Sequence, residues 1–571
     1  MSNVTAADEA ILQKSAPQKG HPKGLGVLFA TEMWERFNFY GMRAILTLFL
    51  SEALLLGEKQ ASLIYGGFLG LCYLTPMLGG YISDKYLGNR LCIQLGGGTM
   101  GIGQLLLFTS ASMFGSNLDL ARTIMWIGLG VIIIGNGFFK PNISSMVGQL
   151  YPAQQKTKLD SAFTIFYMGI NVGAFLGITI CPLLGDVKHG DVRDLTAFKW
   201  GFLAAGAAMF LGTILFSFLK NKYVITPSGD AIGGKPLRKT ENLSFDETDG
   251  EAAQAKFSQQ AIIGAAISLM VLVAIFYFAI GQNIIYSFIY GSGLTLAGLI
   301  MTDKSLTKVE RDRILVLYIV AFFVIFFWAA FEQAGSSLTF IADKQTDTRI
   351  FGWDMPPSMI QNFNSFFVVF FAIPFSLMWT WMSKRKIEPI SPVKQAIGLA
   401  LIALGYLTIA TQVKGLGITG KIGIIWMVLL YLLHTWGELC LSPIGLSLVA
   451  KLAPKRFASL LMGVWFLGNA AGYALTGTLG ALLPPTGDKY QEASAKGIDL
   501  GAVLDGKVTL TAEQTAFLAD KKIPTAFPTF AGFTIHNLFE FFMVFVILCG
   551  AASVVLYALT PWMKKMMHGV R

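Results

Sequence analysis

The chain has 571 residues, of which 54% are hydrophobic and only 14% charged, and it carries a net charge of +10. A soluble domain has about 25% charged residues, so this composition excludes a soluble globular protein and indicates an all-α polytopic membrane protein. The positive charge needs no nucleic-acid partner, because basic residues in cytoplasmic loops account for it.

The five cysteines, Cys72, Cys92, Cys181, Cys440 and Cys549, all lie in apolar runs and read as small core residues rather than a disulfide framework. The N-terminal residues are polar, without the apolar core of a cleaved signal. They are expected to form a cytoplasmic tail over 1–26.

The first apolar run contains Glu32-Met33-Trp34-Glu35-Arg36-Phe37-Asn38-Phe39-Tyr40-Gly41-Met42-Arg43. An ionisable group inside a spanning helix costs roughly 2.5–3.5 kcal/mol on an insertion scale. At about 100° per residue, Glu32, Glu35, Arg36, Phe39, Tyr40 and Arg43 share one side of the helix. Such a stripe is expected to turn away from lipid, towards a cavity or partner helices.

In all, about fourteen segments have the length a bilayer requires. Six fall in 27–219, forming a first bundle, and two in 259–302. Six more fall in 303–560, forming a second bundle. Between the first bundle and the extra pair, 220–258 is polar and reads as a flexible cytoplasmic linker. A polar insert, 484–530, precedes the last span, and Thr511-Ala512-Glu513-Gln514 within it has the form of a capping box. Lys and Arg are roughly twice as frequent in the loops on the N-terminal side as on the other. That bias puts both termini, including the tail 561–571, in the cytoplasm and the insert outside.

Two six-helix halves suggest a transporter, with substrate handled near the midplane. The loop Gly79-Gly80-Tyr81-Ile82-Ser83-Asp84-Lys85-Tyr86-Leu87-Gly88-Asn89-Arg90 resembles the short charged loop of the major facilitator superfamily, with its basic pair reduced to Arg90. Further ionisable residues stranded in apolar sequence are Lys140, Glu332 and Glu438. Arg43 and Lys140 belong to the first half, Glu332 and Glu438 to the second. Ion pairs across the halves would form and break as the halves rock, as alternating access requires. Each residue equally suits a fixed structural pair. Asn171 and Asn364 offer amide donors and acceptors for a peptide backbone, or for an interhelical bond. Tyr40, Tyr73, Trp328 and Trp465 are candidates for an aromatic wall, or for ordinary packing. Gly96-Gly97-Gly98-Thr99-Met100-Gly101 matches a dinucleotide pattern by letter, but within a spanning helix it indicates close helix packing. The five His are scattered without metal-ligand spacing, and no cofactor or metal is expected.

Six motifs in order resemble the proton-dependent oligopeptide transporter family, a branch of the major facilitator superfamily. They are Glu32-x-x-Glu35-Arg36-Phe37 with Tyr40-Gly41, Cys72-Tyr73-Leu74-Thr75-Pro76, Lys140-Pro141-Asn142, Phe166-Tyr167-x-x-Ile170-Asn171-x-Gly173, Phe331-Glu332-Gln333-x-Gly335-Ser336-Ser337, and Glu438-x-x-x-Ser442-Pro443-x-Gly445. The extra helix pair is similar to that of bacterial members.

The resemblance implies proton-driven uptake of di- and tripeptides across the cell membrane. By it, Glu32, Glu35, Arg36 and Lys140 would couple protons, and Glu332 would be a further proton site and substrate contact. Arg43 and Lys140 would meet the peptide carboxylate and Glu438 its amino group. Asn171 and Asn364 would bond the backbone, while Tyr40, Tyr73, Trp328 and Trp465, with Ser442, would line the substrate. The family usually has adjacent tyrosines where this chain has Phe39-Tyr40, so one hydroxyl contact to substrate is lost. Two alternatives stand beside it. One is a carrier of nitrate or another organic anion, which an unpaired buried Glu438 would repel. The other is a membrane-embedded hydrolase, for which no tightly spaced reactive pair or metal-ligand set is visible.

Overall fold

The computed structural model describes residues 20–151, 158–190, 192–226, 229–235 and 257–570. The tail before residue 20 and most of the expected linker fall outside these residues. Eighteen α-helices are present among them. The first six are α1 (Lys23–Leu48), α2 (Gly57–Ile82), α3 (Asn89–Met113), α4 (Leu118–Gln149), α5 (Leu159–Gly185) and α6 (Phe198–Tyr223). The extra pair is α7 (Gln259–Ala274) and α8 (Ile284–Met301). Then come α9 (Lys308–Phe331), α10 (Ser337–Lys344), α11 (Asn362–Lys384), α12 (Ser391–Val413), α13 (Ile424–Leu452) and α14 (Ala458–Gly480). The insert holds α15 (Gly487–Ser494), α16 (Leu500–Leu504) and α17 (Ala512–Asp520), and α18 is Leu538–Met566.

Among the described residues thirteen helices are long and apolar enough to cross a membrane. The long α1 makes fourteen, and it misses the apolar criterion because of its charge stripe. The helix count expected from hydropathy and the all-α class are therefore both present.

The chain forms two compact units. One contains the described residues of Met1–Ile45 and Thr75–Leu243, the other those of Leu46–Leu74 and Ser244–Arg571. The end of α1 and most of α2 thus belong to the second unit.

Glycine sets the packing of the first unit. In α3, a Cβ at Gly96 would lie 2.7 Å from the carbonyl oxygen of Gly135 in α4, and one at Gly97 would collide with Thr213 of α6. The glycine run is a helix-packing face, as expected for small residues in membrane helices. Pro141 has no N–H to donate to the Gly137 carbonyl, and Gly79 of α2 abuts that oxygen with no room for a side chain.

The segment after α6 departs from the expected flexible linker. Residues 224–226 and 229–235 are joined by an Ile225–Ala231 bridge and by a hydrogen bond from Thr226 N to Asp230 O at 2.9 Å. They fasten onto the charged loop through Arg90. The Arg90 amide donates to Gly233 O at 3.0 Å and its Nε to Ile232 O at 2.5 Å. Its two terminal nitrogens reach Asn221 Oδ1 at 2.9 Å, Lys220 O at 3.3 Å and Val224 O. The guanidinium therefore caps the end of α6, adding a bond to Lys220 O, which also accepts from Val224 N, and reaching Val224 O just beyond the helix. Ile232, 4% exposed, fills an apolar cluster with Ile93, Met146 and Val224. Composition reads as linker because the segment buries only two apolar side chains, Val224 and Ile232, and is otherwise held by backbone groups and Arg90.

In the second unit, α9 opens on a Thr307–Glu310 capping box and breaks into a tight turn at Glu332–Gly335 before α10. α8 packs through Tyr286 and Ile289 on Ala470, Ala471 and Ala474 of α14, while no residue of α7 is buried. The insert has its own small core of Ala493, Ile498, Leu500, Val503, Leu504, Leu518 and Ile523. The Thr511–Gln514 capping box starts α17 as the sequence indicates. All five cysteines are buried, and none forms a disulfide among the described residues.

Truncating Ile232 to Ala should cost roughly 2–4 kcal/mol of stability, read as an earlier thermal unfolding midpoint in detergent. Gly88→Ala places a Cβ against the Gly234 carbonyl at a backbone φ of +77°. It should release the same segment to limited proteolysis between 224 and 235. Wild-type midpoints and digestion patterns in both variants would mean the fold-back does not hold the unit together.

Candidate functional site

In the first unit the charge stripe lies on a helix seated by small residues. Gly173 and Gly177 of α5 meet the backbone of Met33 and Phe37 so closely that neither has room for a Cβ. Gly212 of α6 sits 2.7 Å, by its would-be Cβ, from Trp34. Small residues four apart allow this approach, and the acidic face of α1 is buried as a result. Glu32 is 1% exposed, Glu35 0% and Arg36 5%.

Arg36 Nε lies 2.7 Å from Glu32 Oε1 and 2.9 Å from Glu35 Oε2. One cation therefore serves two acids, and its bond to Glu32 has hydrogen-bond geometry. The second Glu32 oxygen and both Glu35 oxygens accept no hydrogen bond among the described residues. Lys140, half-buried on α4, acts electrostatically on Glu35. Two carboxylates thus share one guanidinium in a wall closed to water.

Further along α1, the Arg43 guanidinium lies 4.8 Å over the Tyr40 ring, with Phe39 edge-on to Tyr40 at 5.6 Å. Phe39 is 3% exposed, so the position without a hydroxyl is also one turned into protein. Asn171 is less well placed than the motif suggests. Its Nδ2 donates to Tyr167 O of its own helix at 3.0 Å.

In the second unit α11 and α13 bring Asn364 to Glu438. Asn364 Nδ2 donates to Glu438 Oε2 at 2.9 Å and to Thr435 Oγ1 at 3.0 Å. Thr435 is a turn before Glu438 and sends its own proton to Tyr431 O. The carboxylate is half-buried and held in a fixed orientation. The side chain of Ser442 lies outside the described residues.

Trp328 meets Tyr473 at 5.8 Å between centroids, and Tyr473 meets Tyr73 at 4.5 Å. Two of the four expected wall aromatics are thus joined through a third ring, Tyr473, which no motif marked. Trp465 is 5% exposed and fills the hollow over Gly445. It packs α14 on α13 there. Glu332 is 5% exposed at the break after α9, and the hydroxyl of Tyr65, another residue no motif marked, stands 3.3 Å from its Oε2. Tyr65 lies eight residues before Tyr73 on α2, an interval that could have suggested a shared side of the helix.

At one end of the second unit charges gather around the insert. Lys344 lies 3.0 Å from Glu52 and 3.1 Å from Asp343, and Lys489 of α15 lies 3.7 Å from Asp488. Glu58, at the start of α2, lies within the field of all these groups except Asp343. Among the described residues no cluster of three or more His, Cys, Asp or Glu has metal-binding geometry.

Comparison with known proteins follows the same lines. A sequence profile described as the POT family matches residues 90–491. The chain is 32% identical over 479 residues to the peptide transporter YePEPT of Yersinia enterocolitica subsp. palearctica serotype O:3 (strain YE-P4), covering 81% of this chain and 88% of that one. It is 28% identical over 457 residues to dipeptide and tripeptide permease B of Aliivibrio fischeri (strain MJ11), covering 80% and 85%. A solved POT family transporter in complex with 5-aminolevulinic acid is 27% identical, with a TM-score of 0.70 over 97% of this chain and 99% of that one. A mutant peptide transporter POT with alafosfalin bound is also 27% identical, with a TM-score of 0.71 over 98% and 99%. These relatives are transporters and permeases, not hydrolases. The chain is a multi-pass membrane transporter of the POT family.

Proposed function

We propose that the protein takes up di- and tripeptides by symport with protons, alternating between states open to either side of the membrane. The observation that carries this reading is the buried Glu32–Glu35–Arg36 group, with one cation for two acids and three carboxylate oxygens lacking a hydrogen bond among the described residues. A fixed structural pair would have its oxygens satisfied. A group that exchanges a proton must tolerate both of its charge states. Glu32, Glu35 and Arg36, with Lys140, are assigned to this exchange, and Glu332 is assigned as a further proton site.

The substrate class follows from charge and from the names of the relatives, which include a peptide transporter and a dipeptide and tripeptide permease. A zwitterionic peptide loses hydration at both ends on binding, and each end needs a fixed counter-charge. Arg43 and Lys140 are assigned to the carboxylate and Glu438 to the amino group. Asn171 and Asn364 bond the peptide backbone, and Ser442 contributes beside Glu438. Phe39, Tyr40, Tyr73, Trp328 and Trp465 shape the side-chain space. The loss of a hydroxyl at Phe39 removes one polar contact from that set. Nitrate or another small anion fits less well, because Glu438 would face it with like charge.

By the basic bias of the loops, both termini face the cytoplasm of a cell whose inner membrane the chain spans. The insert 484–530 then lies outside.

Uptake into proteoliposomes should rise when the outside is made acidic or the inside negative, and a protonophore should abolish accumulation. Glu35→Gln should spare counterflow, which needs no gradient, more than driven uptake. Equal loss of both would make Glu35 a structural residue.

Glu438→Gln should weaken binding of ordinary dipeptides several tens-fold, matching roughly 2–5 kcal/mol for an unpaired buried charge. A dipeptide analogue lacking its amino group should bind nearly as it does to the wild type. Equal weakening of both ligands would remove Glu438 from the amino group.

Ser494 is exposed at the end of α15. Ser494→Cys should react with an impermeant thiol reagent in intact cells, and labelling only after lysis would reverse the orientation.

A further inference from the structure

Tyr65 is wholly buried on α2, and its surroundings fix it from several sides. Its hydroxyl stands 3.3 Å from Glu332 Oε2. The same hydroxyl occupies the hollow over Gly335, where a Cβ would collide with it. One turn earlier on α2, Ser62 Oγ receives the Ser336 hydroxyl at 2.9 Å, over a Gly480 that leaves room for both. Gln333 is turned inward, donating to Ala329 O and Thr476 O at 3.0 Å. From another helix, the Tyr286 hydroxyl donates to Leu63 O at 2.8 Å. The ring therefore has one location, and the break in α9 is built around it.

We propose that Tyr65 is a positioning residue for Glu332: its phenol donates to the charged carboxylate and so sets how readily that carboxylate takes up a proton. This rests on Glu332 being a proton site.

A donor aimed at a carboxylate favours the ionised form, and a charge-assisted bond of this kind is stronger than a neutral one. When Glu332 gains a proton its O–H becomes the donor, so the phenol must accept and send its own hydrogen elsewhere. Protonation thereby alters the contact between α2 and the break, linking the charge on Glu332 to the hold of one helix on another.

Other titratable groups of this unit packed around the break have different tasks. The Tyr406 hydroxyl donates to Ala330 O at 2.7 Å. The His434 ring lies against Phe331 and Tyr406. Tyr473 lies against Trp328. Asp343 and Lys344 stand at the far end of α10, beside Glu52. Tyr65 reaches the carboxylate from α2.

The test is proton-driven dipeptide uptake in proteoliposomes as a function of external pH, with counterflow measured in parallel. Tyr65→Phe keeps the ring and removes the donor. The pH profile of driven uptake should depart from that of the wild type, because the carboxylate has lost a donor. Counterflow should stay within about twofold, since the ring still packs. Gly335→Ala, which displaces the hydroxyl while leaving Tyr65 intact, should move the profile in the same direction.

In a Glu332→Gln background, Tyr65→Phe should produce no further shift. An unchanged profile in both Tyr65→Phe and Gly335→Ala, or a shift that persists in the Glu332→Gln background, would overturn the assignment. Glu332→Gln alone separates the two levels of inference. If it retains driven accumulation with the wild-type pH dependence, Glu332 is not a proton site, and the role of Tyr65 falls with it.

Discussion

An ionised group cannot be left unmatched in a hydrocarbon wall, and the first helix of this protein carries four ionisable residues within twelve positions. The rest of the first unit is arranged to make that tolerable. Gly173 and Gly177 bring α5 onto the backbone of α1, and Gly212 admits Trp34, so the acidic face is sealed from lipid by protein. Sealing alone does not neutralise it. Arg36 divides itself between Glu32 and Glu35, and Lys140 adds a second positive field from α4. The result is nearly balanced rather than saturated.

The second unit handles charge differently. Glu438 is oriented by Asn364, and Asn364 in turn is held to Thr435. This chain of neutral donors helps to fix where the carboxylate points, and an amide supplies direction without itself carrying charge. Glu332 falls between these two arrangements, with a phenol rather than an amide as its neighbour on α2.

Much of this was legible in the sequence because hydropathy and charge speak directly to membrane placement. The fourteen spans, the capping box at Thr511, the packing role of Gly96 and Gly97 and the burial of the α1 stripe all follow from residue type and spacing. The misses share a physical cause. Residues 224–235 read as linker because a segment held by its own carbonyls and by Arg90 leaves no apolar period to detect. Asn171 carried a motif, yet its amide turns back to Tyr167 O. A rotamer choice of that kind depends on neighbours that spacing does not name. Tyr473 and Tyr65 went unmarked for the converse reason. An aromatic in a membrane helix is common, and only its tertiary partner distinguishes a contact to Glu332 from packing.

The helix break at Glu332–Gly335 shows how little backbone polarity this fold leaves unbound. Ending α9 inside the membrane exposes carbonyls that lipid could not satisfy. Gln333 takes up Ala329 O, Tyr406 takes up Ala330 O, and Thr339 bonds Ala334 O. Those are side chains from the break itself, from α12 and from α10, so three elements must keep register for the break to exist. A helix interrupted at this cost is justified only if the interruption does something a continuous helix cannot. It turns the Glu332 carboxylate toward α2, and it opens over Gly335 the one hollow into which the Tyr65 hydroxyl fits. An unbroken α9 would carry the same acid on a regular face, with its carbonyls bonded along the helix and no recess for the phenol. The geometry of the break and the environment of the acid are therefore one feature, set jointly by a glycine in one helix and a tyrosine in another.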